Sequence, residues 1–188
     1  MSEIAISPRF VSTDAQGATL DRQIDIFEDQ VQGWLLDQAK VLAAAGQNAG
    51  FSILTLLLTY VEGIACFLEG MTSKNQSGRF FQIGLEAIFP ELTTQTAQAF
   101  HDEFYAQVRC GLLHEAMTRG KVQITRGASH AIRATLDASG TPALIVLEPW
   151  RFLESVEAHF RAYTARLRDP AEGDLRRKFE TWFNARAA

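Results

Sequence analysis

The stretch "AGFSILTLLLTYVEGIACFL" (residues 49–68) decides the fold, because so long an apolar run must be covered either by lipid or by other parts of the protein. It is about long enough to cross a bilayer, but Glu62 lies towards its middle, where a carboxylate is costly in lipid. At 100° per residue, its polar side chains share one stripe and its large aliphatic side chains cover another. We therefore predict the core helix of a soluble protein, with a membrane span as the alternative.

The composition indicates one ordinary globular domain. A chain of 188 residues with 47% hydrophobic content can bury a core, so we expect a single domain over 1–188. The net charge of −4 argues against a protein that coats nucleic acid non-specifically, although it leaves room for a local basic site. Cys66 and Cys110 lie in apolar helical contexts, which favours a reduced, cytoplasmic protein over a disulfide framework or a zinc site. We expect no signal peptide, because no basic segment followed by an apolar one opens the chain.

The hydrophobic spacing around this stretch predicts a mainly α-helical bundle. Residues 1–18 are expected to form a loosely held arm. Helices are predicted over about 20–45, 50–69, 79–88 and 93–119, the last with Thr93 or Thr94 as N-cap and Gly120 as its stop. After Pro149 the helical pattern returns in two segments, which "RDPAEGD" (168–174) separates.

Between residues 120 and 149 the period changes from helix to strand. "KVQITR" (121–126), "HAIRATLD" (130–137) and "PALIVLE" (142–148) are short and rich in β-branched residues, with turn-forming segments between them. The sequence therefore predicts a small antiparallel three-stranded β-meander, inserted before the C-terminal helices.

The stretch "FYAQVRCGLLHEAM" (104–117) is apolar on two sides of a helix. Phe104, Val108 and Leu112 share one face, which is expected to meet the bundle. The opposite face is also apolar, and Arg109 and His114 border it. A helix that is apolar on two sides is buried on two sides. We therefore expect the second face to form a homodimer interface, made by Ala106, Cys110, Leu113 and Met117.

Arg109 and His114 are the candidate catalytic residues. Five residues apart on an α-helix, they differ by about 140° and about 7.5 Å of rise, so they are not expected to meet within one helix. In two antiparallel copies related by a twofold axis, each Arg109 approaches the other copy's His114. Histidine can move protons at a ribose 2′-hydroxyl or a leaving 5′-oxygen, and arginine can stabilise the charge on a phosphate. Such chemistry needs no metal and no cofactor, and we see no carboxylate and histidine cluster at ligand spacing.

Two further residues are possible supports for such a site. Glu62, on the polar stripe of its helix, could orient Arg109 or His114, the alternative being an ordinary solvated or salt-bridged carboxylate. Lys121 follows the motif helix and could contact RNA phosphate, the alternative being a solvent-exposed lysine at a strand start. The other histidines share no spacing with a partner and are interpreted as structural or surface residues: His101, His130 and His159.

The segment "VRCGLLHEAMTRGKVQI" (108–124) resembles the HEPN superfamily, which is marked by an R-x4–6-H motif in a late helix of a helical bundle. The likeness extends more loosely over about 50–125, including "SKNQSGRFFQIGLEAIFPEL" (73–92). It implies a helical domain that dimerises and a composite ribonuclease site, to which Arg109 and His114 carry over by motif. Many such proteins act as toxins or anti-phage effectors in prokaryotes. The sequence departs from the family in having Cys110 after the arginine, where a polar residue is common.

Together these features predict a metal-independent endoribonuclease of HEPN type, active as a homodimer on RNA, with an antitoxin or regulatory protein as a further partner. The alternative is a catalytically silent HEPN-like dimerisation module that binds a partner protein or a nucleotide. An ordinary helical domain without a ligand is the third interpretation. Whether Arg109 and His114 face an open cleft separates the first two.

Overall fold

Helices dominate the chain, with one small sheet between the sixth and seventh of them. The computed structural model describes residues 3–93 and 97–187. Within these residues the helices are α1 (Leu20–Val31), α2 (Asp37–Ala45), α3 (Gly50–Glu69), α4 (Ser77–Ile88), α5 (Ala97–Phe104), α6 (Gly111–Glu115), α7 (Pro149–Arg168) and α8 (Gly173–Ala187). The strands are β1 (Val122–Ile124), β2 (Ile132–Leu136) and β3 (Pro142–Leu147). A π-helical turn, Gln32–Leu36, joins α1 to α2, and a second, Tyr105–Cys110, joins α5 to α6.

The apolar helix α3 lies at the centre of the bundle. It packs against α2, α4, α7 and α8, and its large apolar side chains form much of the core: Ile53, Leu54, Leu57, Leu58, Val61 and Ile64. Helix α4 approaches it closely at Gly84, where a Cβ would lie only 1.8 Å from the Val61 carbonyl oxygen. Among the described residues, α3 is also the one helix long and apolar enough to cross a membrane, and 56% of its most apolar window is buried in the fold. A core helix of a soluble protein meets the same criterion.

The predicted helix over 93–119 differs from the observed one at its C-terminal end. The described part of the helix begins at Ala97, and Thr94 lies outside the described residues. The helix ends at Glu115 rather than at Gly120, because Ala116 adopts a left-handed conformation with φ 55°. The chain then folds back on Gly111, where a Cβ would lie 2.5 Å from the Met117 carbonyl oxygen. Met117 therefore lies beyond the helix and does not extend its face.

The prediction of an antiparallel meander is wrong, because the sheet is mixed. The strand order is β1-β3-β2. β1 pairs with β3 in parallel, with Val122 opposite Ile145, whereas β2 pairs with β3 antiparallel, with Ile132 opposite Leu147. The most continuously apolar strand, β3, takes the central position, where it is covered best. The segment between β1 and β2 consequently crosses to the far edge instead of forming a hairpin.

The N-terminal arm is not loosely held. Ser7 and Phe10 are buried, and Ala5 pairs with Val11 in a β-bridge. The anchor is the buried carboxylate of Asp29 in α1, which accepts hydrogen bonds from Ser7 Oγ at 2.7 Å and from the Arg9 amide at 2.8 Å. Burial raises the pKa of Asp29, but these hydrogen bonds outweigh it and leave the pKa below its ordinary value. A polar segment is thus held by hydrogen bonds that hydrophobic periodicity does not reveal.

Candidate active site

The candidate site is built where the centre of α3 meets the π-helical turn Tyr105–Cys110. Arg109 Nη2 donates a hydrogen bond to Glu62 Oε2 at 2.7 Å. The two side chains are only 14% and 17% exposed. The other carboxylate oxygen of Glu62 accepts from Ser73 Oγ at 2.8 Å, in the loop between α3 and α4. Glu62 therefore contacts Arg109 and forms a salt bridge with it, which is compatible with both roles that the sequence left open for Glu62.

Arg109 and His114 meet within one chain, contrary to expectation. Arg109 Nη1 lies 3.0 Å from His114 Nε2. The expectation compared backbone positions, but Arg109, near the end of the π-helical turn, reaches His114 in α6 through its long side chain. Since a guanidinium has donors only, Nε2 must accept in this contact, which requires a neutral ring with its proton on Nδ1.

Arg109 is charged and firmly positioned. Burial lowers its pKa, but the hydrogen bond and the charge of Glu62 outweigh burial, so the pKa is raised overall. The guanidinium carbon lies 5.2 Å from the centre of the Tyr105 ring. Within the described residues its Nε is buried and has no hydrogen-bond partner. The pair therefore combines a fixed cation with an exposed imidazole.

A shallow cleft of about 270 Å³ opens beside Arg109. Leu58, Thr59 and Gly63 of α3 form one wall, and Leu113 of α6 and Ser73 border it. Cys66 also lines the cleft, and burial raises the pKa of its thiol, so that the sulfur remains protonated at neutral pH. Arg109 is thus mostly buried, but its side chain lines an open cleft that has room for a phosphate.

The predicted interface residues do not share one helical face. The π-helical turn changes the phase between Ala106 and Leu113, and Met117 lies past the end of α6. Ala106, Cys110 and Leu113 are partly buried by their own chain, whereas Met117 is 60% exposed.

The remaining sequence candidates lie away from the pair. Lys121 lies 3.5 Å from Glu103 Oε1 and is partly exposed. His159 Nδ1 lies 2.9 Å from the Tyr60 hydroxyl, and burial lowers the pKa of His159 to about 4. His130 is exposed and His101 is buried. Lys121 and these three histidines are not brought together with Arg109 and His114.

Two residues of the site were missed from the sequence. Tyr105 lies one helical turn before Arg109, a spacing that places side chains together and could have identified it. Ser73 is separated from Glu62 by a loop, so only the fold reveals it.

Residues 116–136 are free of Asp and Glu, while they include Arg119, Lys121, Arg126 and Arg133. Three of these cations have partners, since Arg119 pairs with Glu115, Lys121 with Glu103, and Arg126 lies over Trp150.

The described residues contain no group of three or more His, Cys, Asp or Glu side chains that could hold a metal ion. Comparison of the chain with protein-family models, with curated proteins and with solved structures finds no match. The case for a function is therefore made from the residues and their geometry.

Proposed function

We propose that the protein is a metal-independent endoribonuclease of HEPN type, which acts as a homodimer through Arg109 and His114. One observation carries the proposal: a charged guanidinium and an imidazole lie 3.0 Å apart, and the guanidinium is held by Glu62 beside an open cleft. Preorganised charge of this kind stabilises a transition state better than a mobile side chain does.

The chemistry follows from the two side chains. A phosphodiester entering the cleft displaces the contact between Arg109 and His114, and the guanidinium binds the non-bridging oxygens. The freed Nε2 of His114 takes the proton of the ribose 2′-hydroxyl. The 2′-oxygen attacks phosphorus, the bond to the 5′-oxygen breaks, and that oxygen leaves with a proton. The products are a 2′,3′-cyclic phosphate and a 5′-hydroxyl.

A second copy completes the site in this proposal. Its His114 takes up a proton from solvent once its contact with Arg109 is displaced and gives it to the leaving 5′-oxygen, while the first copy's His114 acts as the base. Exposed Met117 and partly exposed Leu113 lie next to the pair and suit such an interface. A cytoplasmic role as a toxin or anti-phage effector, controlled by an antitoxin or regulatory protein, rests on the resemblance of residues 108–124 alone.

The decisive experiment incubates the purified protein with mixed RNA, with and without EDTA, beside His114→Ala and Arg109→Ala. Each substitution should lower cleavage by roughly 10²-fold or more. His130→Ala, which removes an exposed histidine, is the matched control and should cleave like the wild type. DNA should resist, and the 5′ fragment should end in a 2′,3′-cyclic phosphate. Loss of activity in EDTA would contradict the metal-free mechanism, and full activity of His114→Ala would contradict the site.

A silent HEPN-like module that binds a partner protein or a nucleotide is the second candidate. One observation favours it: the Nε2 lone pair of His114 is already engaged by Arg109 in the free chain. If the wild type cleaves no RNA but binds nucleotides measurably, this candidate is supported over the first.

A further inference from the structure

A second pocket lies beside the candidate site and shares Tyr105 with it. It has a volume of about 240 Å³ and lies between the first half of α4 and α5. The Tyr105 ring is 5.2 Å from the Arg109 guanidinium carbon, and 3.9 Å from the place where a Cβ at position 78 would be. One aromatic ring therefore separates the pocket from the cation of the candidate site.

Hydrogen-bonding groups dominate the lining of this pocket. Its members are Gly78, Arg79, Gln82, Gln98, His101, Asp102 and Tyr105. The two amides offer both donors and acceptors, and Asp102 offers an acceptor. Burial raises the pKa of the Tyr105 hydroxyl, although the nearby Arg109 opposes it, so the hydroxyl stays protonated and able to donate. The walls thus present a mixture of donors and acceptors around one aromatic face.

His101 is the most deeply buried polar group of the pocket, at 3% exposure. Its Nε2 lies 2.9 Å from Glu86 Oε1, yet neither ring nitrogen has an aligned hydrogen-bond partner within the described residues. Burial lowers its pKa more than Glu86 raises it, so the ring is neutral at pH 7 and carries one donor and one acceptor. A buried polar ring without an aligned partner is costly unless a ligand completes its hydrogen bonds.

The charges and the size of the pocket restrict the ligand. The cation in the lining, Arg79, already pairs with Glu69 at 3.2 Å, and the carboxylate of Asp102 repels a phosphate. The polar walls do not suit a hydrocarbon. The volume is smaller than the roughly 300–1,000 Å³ of pockets that hold drug-sized molecules, so a small planar group fits better. A nucleobase is neutral and planar, stacks on aromatic rings, and presents donors and acceptors at its edge.

We propose that this pocket receives one unpaired nucleobase next to the scissile phosphate, so that the substrate is single-stranded RNA. This inference rests on the proposed function where cleavage is concerned. The base stacks on Tyr105 and forms hydrogen bonds with Gln82, Gln98 and Asp102, while the adjoining phosphate lies against Arg109. Recognition of this one flipped-out base by the pocket then determines where the strand is cut.

Gly78 gives a graded test of this pocket. It is the second residue of α4, and its φ lies outside the left-handed region, so Ala and Leu both suit the helix there. Gly78→Ala adds one methyl group at ordinary contact distance from Tyr105 and leaves most of the pocket open. Gly78→Leu fills it. Circular dichroism of both variants confirms that they are folded.

The first measurement is the cleavage profile on a randomised RNA library. The wild type and Gly78→Ala should prefer one base at a fixed position beside the cut by about tenfold or more. In Gly78→Leu this preference should fall below about twofold. An unchanged profile in Gly78→Leu would overturn the pocket while the ribonuclease proposal stands.

The second measurement does not depend on cleavage. Calorimetric titration of His114→Ala with the four nucleoside 5′-monophosphates should show binding of at least one, weakened about tenfold or more when Gly78→Leu is added. If the wild type cuts no RNA but His114→Ala binds a nucleotide in this way, the ribonuclease proposal is wrong and the pocket proposal stands. Equal affinities in both variants, or no binding to His114→Ala, would overturn the pocket.

Discussion

At the scale of single residues, Arg109 is the side chain on which the candidate site depends. It contacts a carboxylate on α3, an imidazole on its own helix and an aromatic ring one turn earlier: Glu62, His114 and Tyr105. A partly buried cation held by several partners has few alternative positions. Removing one charge of such a pair leaves the other without compensation in a poorly solvated place.

Glu62→Gln tests this positioning. The amide retains a hydrogen-bond acceptor for Arg109 but removes the negative charge, so the guanidinium should be less well held. We expect RNA cleavage to fall about tenfold, less than on loss of Arg109 itself, and the free energy of unfolding to fall by about 1–3 kcal/mol. Cleavage kinetics and urea denaturation measure the two effects.

Glu172→Gln is the matched control, because Glu172 pairs with Arg166 on an exposed surface away from the cleft. An exposed pair contributes only about 0–1 kcal/mol, and cleavage should be unchanged. Wild-type cleavage by Glu62→Gln would show that Glu62 has no positioning role.

At the scale of secondary-structure elements, the site lies where the π-helical turn Tyr105–Cys110 passes into α6. The turn carries Tyr105 and Arg109, and α6 carries His114. Helix α6 then ends only one residue after His114, where Ala116 takes the left-handed conformation. The chain reverses over Gly111, and the Met117 amide bonds to the Gly111 carbonyl oxygen at 3.3 Å. The site is therefore enclosed between a widened turn and a tight helix end.

Gly111→Ala tests this helix end. Alanine is the better helix former by about 1 kcal/mol, but its Cβ would lie 2.5 Å from the Met117 carbonyl oxygen. We expect the collision to dominate and to destabilise the protein by about 1–3 kcal/mol. In the control Gly173→Ala, at the first residue of α8, the new Cβ meets nothing within 4 Å, so it should not destabilise the protein. Thermal denaturation compares them, and a stabilised Gly111→Ala would contradict the tight reversal.

At the scale of the whole molecule, the proposed dimer needs a surface beside the cleft that a second copy can cover. Leu113 borders the cleft, and the exposed side chain of Met117 follows on the reversed chain. Across the cleft, Gly63 of α3 has open space where a Cβ would be, so a partner backbone could approach there. A twofold axis near this surface brings the two Arg109–His114 pairs towards each other.

Leu113→Asp should favour monomers, because it places an unpaired charge in the interface. Light scattering at micromolar concentration should show a dimer for the wild type and a monomer for the variant, and RNA cleavage should fall with the dimer. Leu136→Asp, at the exposed end of β2, is the control and should remain dimeric. A wild type that is monomeric at micromolar concentration would contradict the proposed dimer.

The sequence alone was enough to predict the helical elements and to select the two residues of the candidate pair. The predicted bounds of 20–45 and 50–69 match the observed helical stretches, because a repeating apolar face is a property of neighbouring residues. The strands lie within the predicted segments for the same reason. Arg109 and His114 were selected from residue types, helical spacing and a family resemblance, with Glu62 as a possible support.

Only the tertiary structure decided how these parts are joined. The parallel pairing of β1 with β3 depends on which strand is buried between the others. The N-terminal arm is held by the hydrogen bond between Ser7 and Asp29, which are more than twenty residues apart in the sequence. The contact between Arg109 and His114 joins the π-helical turn to α6, and Arg109 is held there by a carboxylate on α3. Such features arise from contacts between distant segments, and a local periodicity contains no information about them.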